Sequence, residues 1–560
     1  MKFRTFINIV LAVVIALLLV GAGGLTWIVA QTPKSQSLNS RQASPAAAIF
    51  VSRDAPVLAS LLVSPEDLES FRLASLPLNQ QRRVRADFNQ LKRTLRRQTG
   101  LRYDNDIAPW VGDEVTFAIA APDWDRTAAN GRQPGYLVAA AIADAGAARD
   151  CLDQFWQRQT RRGEEPQTEQ VAGVPVTSSQ EPGDAALTTA MVGDRFVLFG
   201  NAPSVVREAI YNAQVTDLSL AASPDYAAIL RSLPPRQLGM SVVNLPYLLA
   251  QLREAEAPQV FQLGQQPYET WVTSLRFDAP NLLANVSLLP PKGTLLDPEP
   301  PDLMEPVAAL QYVSPNSSFI AASQDLQALW TRLQTAAAEP LTPLMTAPVE
   351  NFLQENWGLD LAESVTPWMR QDYALAALPD GDRTDWVLVT RRSPEAMAAV
   401  EDFDGLARQQ GYSVGSLPLG EQDTTLWTEL AAVVADAKST APGFRTLSAE
   451  VKGIHAVAED YLLLSTAVSA LDQALQAPPQ PATDVPPLKR AIARLEQPNN
   501  GYLYARRDIL EDWLDTVPAL KTRLEGINPL LDQVQSVTLS NYGNDETAKR
   551  SGFYVELFTE

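Results

Sequence analysis

The feature that most constrains this chain is a skeleton that occurs twice. Gly100, Leu101, Pro109 and Trp110 recur as Gly358, Leu359, Pro367 and Trp368, each 258 positions further on. Other stretches repeat in the same order: Phe50-Val51-Ser52 as Tyr312-Val313-Ser314, Ala147-Ala148 as Ala398-Ala399, and Ala190–Phe199 as His455–Leu464. Gly239 and Val272 likewise return as Gly501 and Val534. One shared motif arises easily by chance; six collinear ones do not. The chain therefore reads as an internal duplication, with offsets that wander from 251 to 265 because loop lengths changed. The largest change, a gain of 14 residues around Trp427 to Gly453, is expected to be helix and surface loop.

A length of 560 residues exceeds what one hydrophobic core serves, which fits two tandem domains. The net charge of −20 excludes a nucleic-acid binder, because a phosphate backbone needs a basic surface. With Cys151 as the single cysteine, an intramolecular disulfide is impossible.

From Thr5 to Pro33 no residue is charged, and Phe6 to Ala30 is almost wholly apolar. At about 1.5 Å per residue that is enough helix to cross a hydrocarbon core of about 30 Å. The stretch is longer than the apolar region of about 7–15 residues in a signal peptide, so an anchor is favoured over cleavage after Ala30. Lys2 and Arg4 precede it, while Lys34 and Arg41 follow it, a near balance of flanking charge. A long following domain is exported largely regardless of that balance, so the amino terminus is expected in the cytoplasm and the bulk outside.

The expected organisation is a cytoplasmic end (1–5), a transmembrane anchor (6–30) and a flexible tether (31–47). A first repeat (48–289), a Pro-rich linker (290–306) holding six prolines, and a second repeat (307–560) follow. Ala48–Val51, Val57–Val63, Glu114–Ala121, Tyr136–Ala143 and Leu187–Gly200 read as strands; Ala147–Gln159 and Pro203–Tyr211 read as helices. Strand pairs mixed with helices, without regular βαβ alternation, predict α+β domains with largely antiparallel sheets. The duplication also suggests packing about a pseudo-twofold axis.

Residues suited to catalysis are sparse. The single histidine, His455, opens an expected strand and replaces Ala190 of the other copy, so it is read as structural; any two-histidine mechanism within one chain is excluded. Gly411-Tyr412-Ser413-Val414-Gly415 matches G-x-S-x-G, but a helix is expected before it and a strand after, the reverse of a nucleophile elbow. Asp104, Asp106, Asp113 and Glu114 lack the spacing of a calcium loop and are read as surface acids and caps. Pro109-Trp110 and Pro367-Trp368 read as a rigid turn followed by a large buried ring. No metal or cofactor is indicated.

The most functional-looking feature is a basic helix bearing Arg82, Arg83, Arg85, Lys92, Arg93, Arg96 and Arg97. In the second copy Lys92 and Arg97 become Glu350 and Glu355, so the fold tolerates either sign there. A solvated face is the plain reading. Contact with anionic headgroups beside the anchor, or with an acidic partner, is the functional one.

The run 48–58 (AIFVSRDAPVL), Asn89-Gln90-Leu91-Lys92 and Asp106–Glu114 (DIAPWVGDE) resemble a cyanobacterial family of exported proteins classed as domain of unknown function 3352. The resemblance implies a cyanobacterial source and a periplasmic or thylakoid-lumen face, and brings no activity or catalytic residues. The expectation is a membrane-tethered binding or assembly protein. Its rivals are an exported hydrolase using a carboxylate or Ser/Lys site, and a structural envelope component.

Overall fold

The structure, a computed structural model, describes residues 44–64, 89, 92, 93, 96, 102–127, 131–179, 187–234, 237–254, 267–278, 281–335, 350, 353–354, 357–381, 383–434, 445–515 and 534–557. The expected anchor (6–30) and nearly all of the tether lie outside these residues. Among those described, no helix is long and apolar enough to cross a membrane.

The chain is α+β, and every strand pairing is antiparallel. The strands up to residue 289 are β1 (Val57–Leu61), β2 (Val111–Ala121), β3 (Gly135–Ile142), β4 (Gln167–Val171), β5 (Val174–Ser178), β6 (Thr188–Val192), β7 (Phe196–Gly200), β8 (Gly239–Asn244), β9 (Thr270–Asp278) and β10 (Asn281–Leu289). They lie side by side in the order β4-β5-β6-β7-β3-β2-β1-β8-β9-β10.

Beyond residue 307 come β11 (Phe319–Ser323), β12 (Tyr373–Asp380), β13 (Arg383–Arg391), β14 (Ser413–Leu419), β15 (Gln422–Val434), β16 (Arg445–Ala458), β17 (Tyr461–Ser465), β18 (Tyr502–Arg506), β19 (Val534–Asn544) and β20 (Lys549–Leu557). Their order is β14-β15-β16-β17-β13-β12-β11-β18-β19-β20. The neighbour order is thus the same in both halves.

The halves meet edge to edge. β10 pairs with β20, from Leu282 opposite Val555 to Leu288 opposite Lys549, and this joins the twenty described strands into one sheet. Asn281 reinforces the seam: its Nδ2 donates to Tyr554 Oη at 2.7 Å and its Oδ1 accepts from Leu557 N at 3.1 Å. Arg494 adds an ion pair with Asp278 across the two halves (3.1 Å). Burial pushes the Asp278 carboxyl up, with Arg494 and Arg276 opposing it.

The α-helices described from end to end are α1 (Ala145–Arg161), α2 (Pro203–Gln214), α3 (Pro224–Ser232) and α4 (Leu245–Glu254), then α5 (Leu326–Thr335), α6 (Pro394–Gln409), α7 (Val468–Leu475), α8 (Leu488–Arg494) and α9 (Arg507–Asp515). α2 lies over the sheet because Val205, Val206, Ala209 and Ile210, at helical spacing, bury against Leu58, Leu137 and Leu198. α7 does the same in the second half with Ala470, Leu471 and Ala474.

Two expectations are corrected. Ala46–Phe50 is a 3-10 helix rather than a strand, as is Ala308–Tyr312. Small alanines let this segment pack edgewise, with Ala47, Ala48 and Phe50 buried, where an extended strand would need a pairing partner. The region around Trp427 to Gly453 is not helix: β15 and β16 run through it, and from Glu429 to Val434 and Arg445 to Val451 they pair with each other beyond the reach of β14 and β17. Leu426–Val434 carries the β-branched and apolar residues that suit a ladder, so the insertion lengthens a hairpin into an arm. The Pro-rich stretch between the halves bonds to the second of them: Leu303 exchanges backbone bonds with Asn499, and Glu299 with Asn544.

Candidate functional site

The repeated motif is built for anchorage. Tyr103–Ile107 forms a single π-helical turn, and so does Leu361–Val365. In each, the tryptophan that follows donates its ring N–H back to the carbonyl four residues earlier, Trp110 to Asp106 and Trp368 to Ser364, both at 2.8 Å. Trp110 is fully buried and Trp368 half-buried.

The acid at the strand entry has a specific task. Glu114 accepts from Ala46 N (2.9 Å) and Ala47 N (2.8 Å), capping the 3-10 helix that opens the first half. Its counterpart Asp372 accepts from Ala309 N at 3.1 Å, at the start of the second 3-10 helix. There the carboxylate also holds Arg391 Nε (2.8 Å) and Tyr461 Oη (2.7 Å). Burial and the Asp372 hydrogen bond push the Tyr461 phenol well up, so it stays a donor.

Of the other acids, Asp106 is buried and accepts from Arg102 N at 2.7 Å, with Arg158 3.4 Å away. Burial pulls its carboxyl up, but the backbone N–H and the guanidinium outweigh that and hold it below the ordinary value. Its carbonyl also accepts from Cys151 Sγ. Asp104 pairs with Lys92 at 2.8 Å. Among the described residues no cluster of His, Cys, Asp and Glu could hold a metal ion.

Of the basic helix, Lys92, Arg93 and Arg96 are described, while Arg82, Arg83, Arg85 and Arg97 lie outside the described residues. Lys92 is committed to Asp104 and to the Tyr103 ring (5.3 Å); Arg93 and Arg96 are exposed.

His455 sits inside β16, not at its start. Its Nε2 is 3.1 Å from Asp404 Oδ1 of α6, and the same oxygen accepts from Trp427 Nε1 at 2.6 Å. Trp427 lies edge-on to Trp357, and its ring covers Gly453, where a Cβ would fall 2.3 Å from Cε3. Phe403, Leu462 and Leu464 share the apolar cluster of Trp427, whose ring centroid lies 6.2 Å from that of the histidine. It clasps the base of the β15–β16 arm to α6. Asp404 and Trp427 carried no sequence signal, because their partner is distant in the chain. The Gly411–Gly415 stretch has α6 before it and β14 after, so no nucleophile elbow forms.

A cleft with a volume of about 920 Å³ lies between the Pro-rich stretch and the start of α5. Glu299, Asp302, Asp325, Arg370 and Asn500 line it. Asp325 Oδ1 already caps α5 through Ala328 N (2.7 Å), and Arg370 Nε donates to Pro367 O (3.1 Å).

The model of the family described as Protein of unknown function (DUF3352) matches residues 10–557. The chain belongs to that family. Among curated proteins none matches. Of solved structures, two crystal forms of TP0453 are similar at 10% and 11% identity, covering 46% of this chain and 84% and 83% of theirs, with TM-scores of 0.25 and 0.26. At that overlap TP0453 lends neither fold nor function to this chain.

Proposed function

We propose that this DUF3352 protein is a membrane-tethered, exported binding or assembly protein built from two copies of one unit, residues 48–289 and 307–560. The observation that carries the reading is the β10–β20 seam, through which two halves of identical strand order fuse into a single twenty-stranded body. Such a body offers a broad, rigid surface and two open edges, the exposed strands β4 and β14. Edge strands are natural docking templates. The apolar stretch 6–30 supplies the tether, as a single pass with the amino terminus in the cytoplasm and the bulk in a periplasm or thylakoid lumen. The resemblance to exported cyanobacterial proteins supports that face. Crosslinking with mass spectrometry on intact membranes tests the reading: a stoichiometric partner contacting β4 or β14 supports it, and a chain that crosslinks to nothing overturns it.

The exported hydrolase remains as a second reading because of the cleft at Glu299, Asp302 and Asp325, where three carboxylates line a cavity. Hydrolysis of a generic ester or glycoside substrate, abolished by Glu299→Gln or Asp302→Asn, would move the balance to it.

A further inference from the structure

In the first half, among the described residues, the exposed large hydrophobic residues lie on adjoining segments of the chain. Ile49 is 38% exposed, Tyr211 48%, Val215 50% and Leu218 43%. Backbone bonds draw them together: Val215 N donates to Tyr211 O (2.9 Å), Leu218 N to Val215 O (2.9 Å) and Arg53 N to Leu218 O (3.1 Å). Asn212 Nδ2 ties the end of α2 to Phe50 O, beside Ile49 (3.3 Å). Singly such residues need no explanation, but gathered in one place they mark a contact surface.

The second half shows that the fold does not require them. Gln480 N donates to Ala477 O as Leu218 N does to Val215 O, and Ala482 N donates to Val313 O as Leu220 N does to Val51 O. By these bonds Leu218 corresponds to Gln480 and Val215 to the buried Ala477. The aligned 3-10 helices set Ile49 against Gln311, and the aligned starts of α2 (Pro203) and α7 (Val468) set Tyr211 against Gln476, the three residues of α2 before Val215 having no counterpart. Three apolar side chains on one half are thus glutamines on the other.

The apolar version sits on the half that follows the apolar stretch. Ile49 is five positions after Ser44, the first described residue, and Ser44 is fourteen after Ala30. Fourteen residues span about 20 Å on average as a random chain, and about 50 Å fully extended. We propose that Ile49, Tyr211, Val215 and Leu218 form a membrane-contact patch that settles into the headgroup region of the bilayer crossed by residues 6–30. Tyrosine with aliphatic neighbours suits that region, where one end of a side chain is apolar and the other wet. The patch fixes how the body faces the membrane, and it rests on the tethered reading above.

The test uses the full chain in phosphatidylcholine–phosphatidylglycerol vesicles, in a Cys151→Ser background, with a spin label at Val215→Cys or at Gln480→Cys. Collision rates with oxygen, which partitions into lipid, and with a water-soluble nickel chelate are compared. The expected result is a several-fold preference for oxygen at 215 and for nickel at 480. Adding Ile49→Gln, Tyr211→Gln and Leu218→Gln, the residues of the other half, should shift the 215 label toward nickel while leaving the protein folded. Water exposure at 215 equal to that at 480 overturns the proposal. So does shielding of 215 from both reagents, which would mean cover by residues 6–30 or by a second copy. Carbonate extraction reports separately on the tether: a chain that resists it with a wet 215 label loses the patch alone, and a chain released with a lipid-exposed 215 label loses the tether alone.

Discussion

The two halves answer the same structural demand with different chemistry. At the first 3-10 helix, Glu114 accepts two backbone N–H groups, and the aromatic pair beneath is Phe50 with Phe196, ring centroids 5.2 Å apart. At the second, Asp372 accepts one N–H, and the corresponding pair is Tyr312 with Tyr461 at 5.3 Å. The rings sit alike, but the second half adds the Tyr461 hydroxyl and Arg391 to its carboxylate. The difference teaches that the acid in the repeated motif is a helix cap first. A charge-paired network is an addition made in one copy, and a buried charge so paired is sensitive to the loss of one partner.

The sharpest way to break the comparison is at the tryptophans, which occupy the same motif position with unequal burial. Trp110 is 3% exposed and lies with Val111, Ala140, Ala148 and Val197. Trp110→Ala should cost about 3–5 kcal/mol in urea unfolding, whereas Trp368→Ala, at a half-buried site, should cost clearly less. Equal losses would show that the two motifs are packed alike.

Next in size is the network itself. Arg391→Met removes the cation from Asp372 and should destabilise by about 1–3 kcal/mol, since a hydrogen bond to a charged group is lost and a part-buried carboxylate is left short of partners. Tyr461→Phe makes the pair resemble Phe50–Phe196 and should cost about 1 kcal/mol. A double-mutant cycle should show coupling between them, because both donate to the Asp372 carboxylate. Additive losses would mean that the second cap works like the first.

A pH difference comes third. Asp106 is held below the ordinary carboxylate value by Arg102 N–H and Arg158, against the pull of burial. Its contribution is therefore complete above the unfolded value of about 4 and lost as pH falls through the lower folded value. Asp106→Asn should flatten the fall in stability on acidification below about pH 4. Ser364, at the corresponding position, carries no charge, so Ser364→Ala should leave that slope unchanged.

How much of this was legible in the chain depends on the range of the interaction. Helices such as α1 and α2 and the β9–β10 hairpin follow from local periodicity, and the antiparallel α+β class follows with them. The 3-10 helix at Ala46–Phe50 did not, because its five residues are held by Glu114, more than sixty positions away. The β15–β16 arm was missed because an insertion reads as loop when nothing local shows its partner strand. The Asp404–His455–Trp427 clasp joins three elements by tertiary contact alone, and single residues of those types carry no pattern.

The smallest expected effect concerns Lys92 of the basic helix. It pairs with Asp104, a residue that is largely exposed, and the second copy has Glu350 where Lys92 stands. An ion pair with one partner in water gains little Coulomb energy and fixes a long side chain, so Lys92→Glu should change stability by no more than about 1 kcal/mol. The same variant bears on the basic helix as a contact for anionic headgroups. There each basic residue near the surface contributes about 1 kcal/mol, so reversing one should weaken adsorption of the protein to phosphatidylglycerol more than to phosphatidylcholine. A variant whose fluorescence transfer to labelled vesicles matches the parent on both lipids would leave Lys92 as a partner of Asp104 alone, and its face as the solvated counterpart of the acidic one at Glu350.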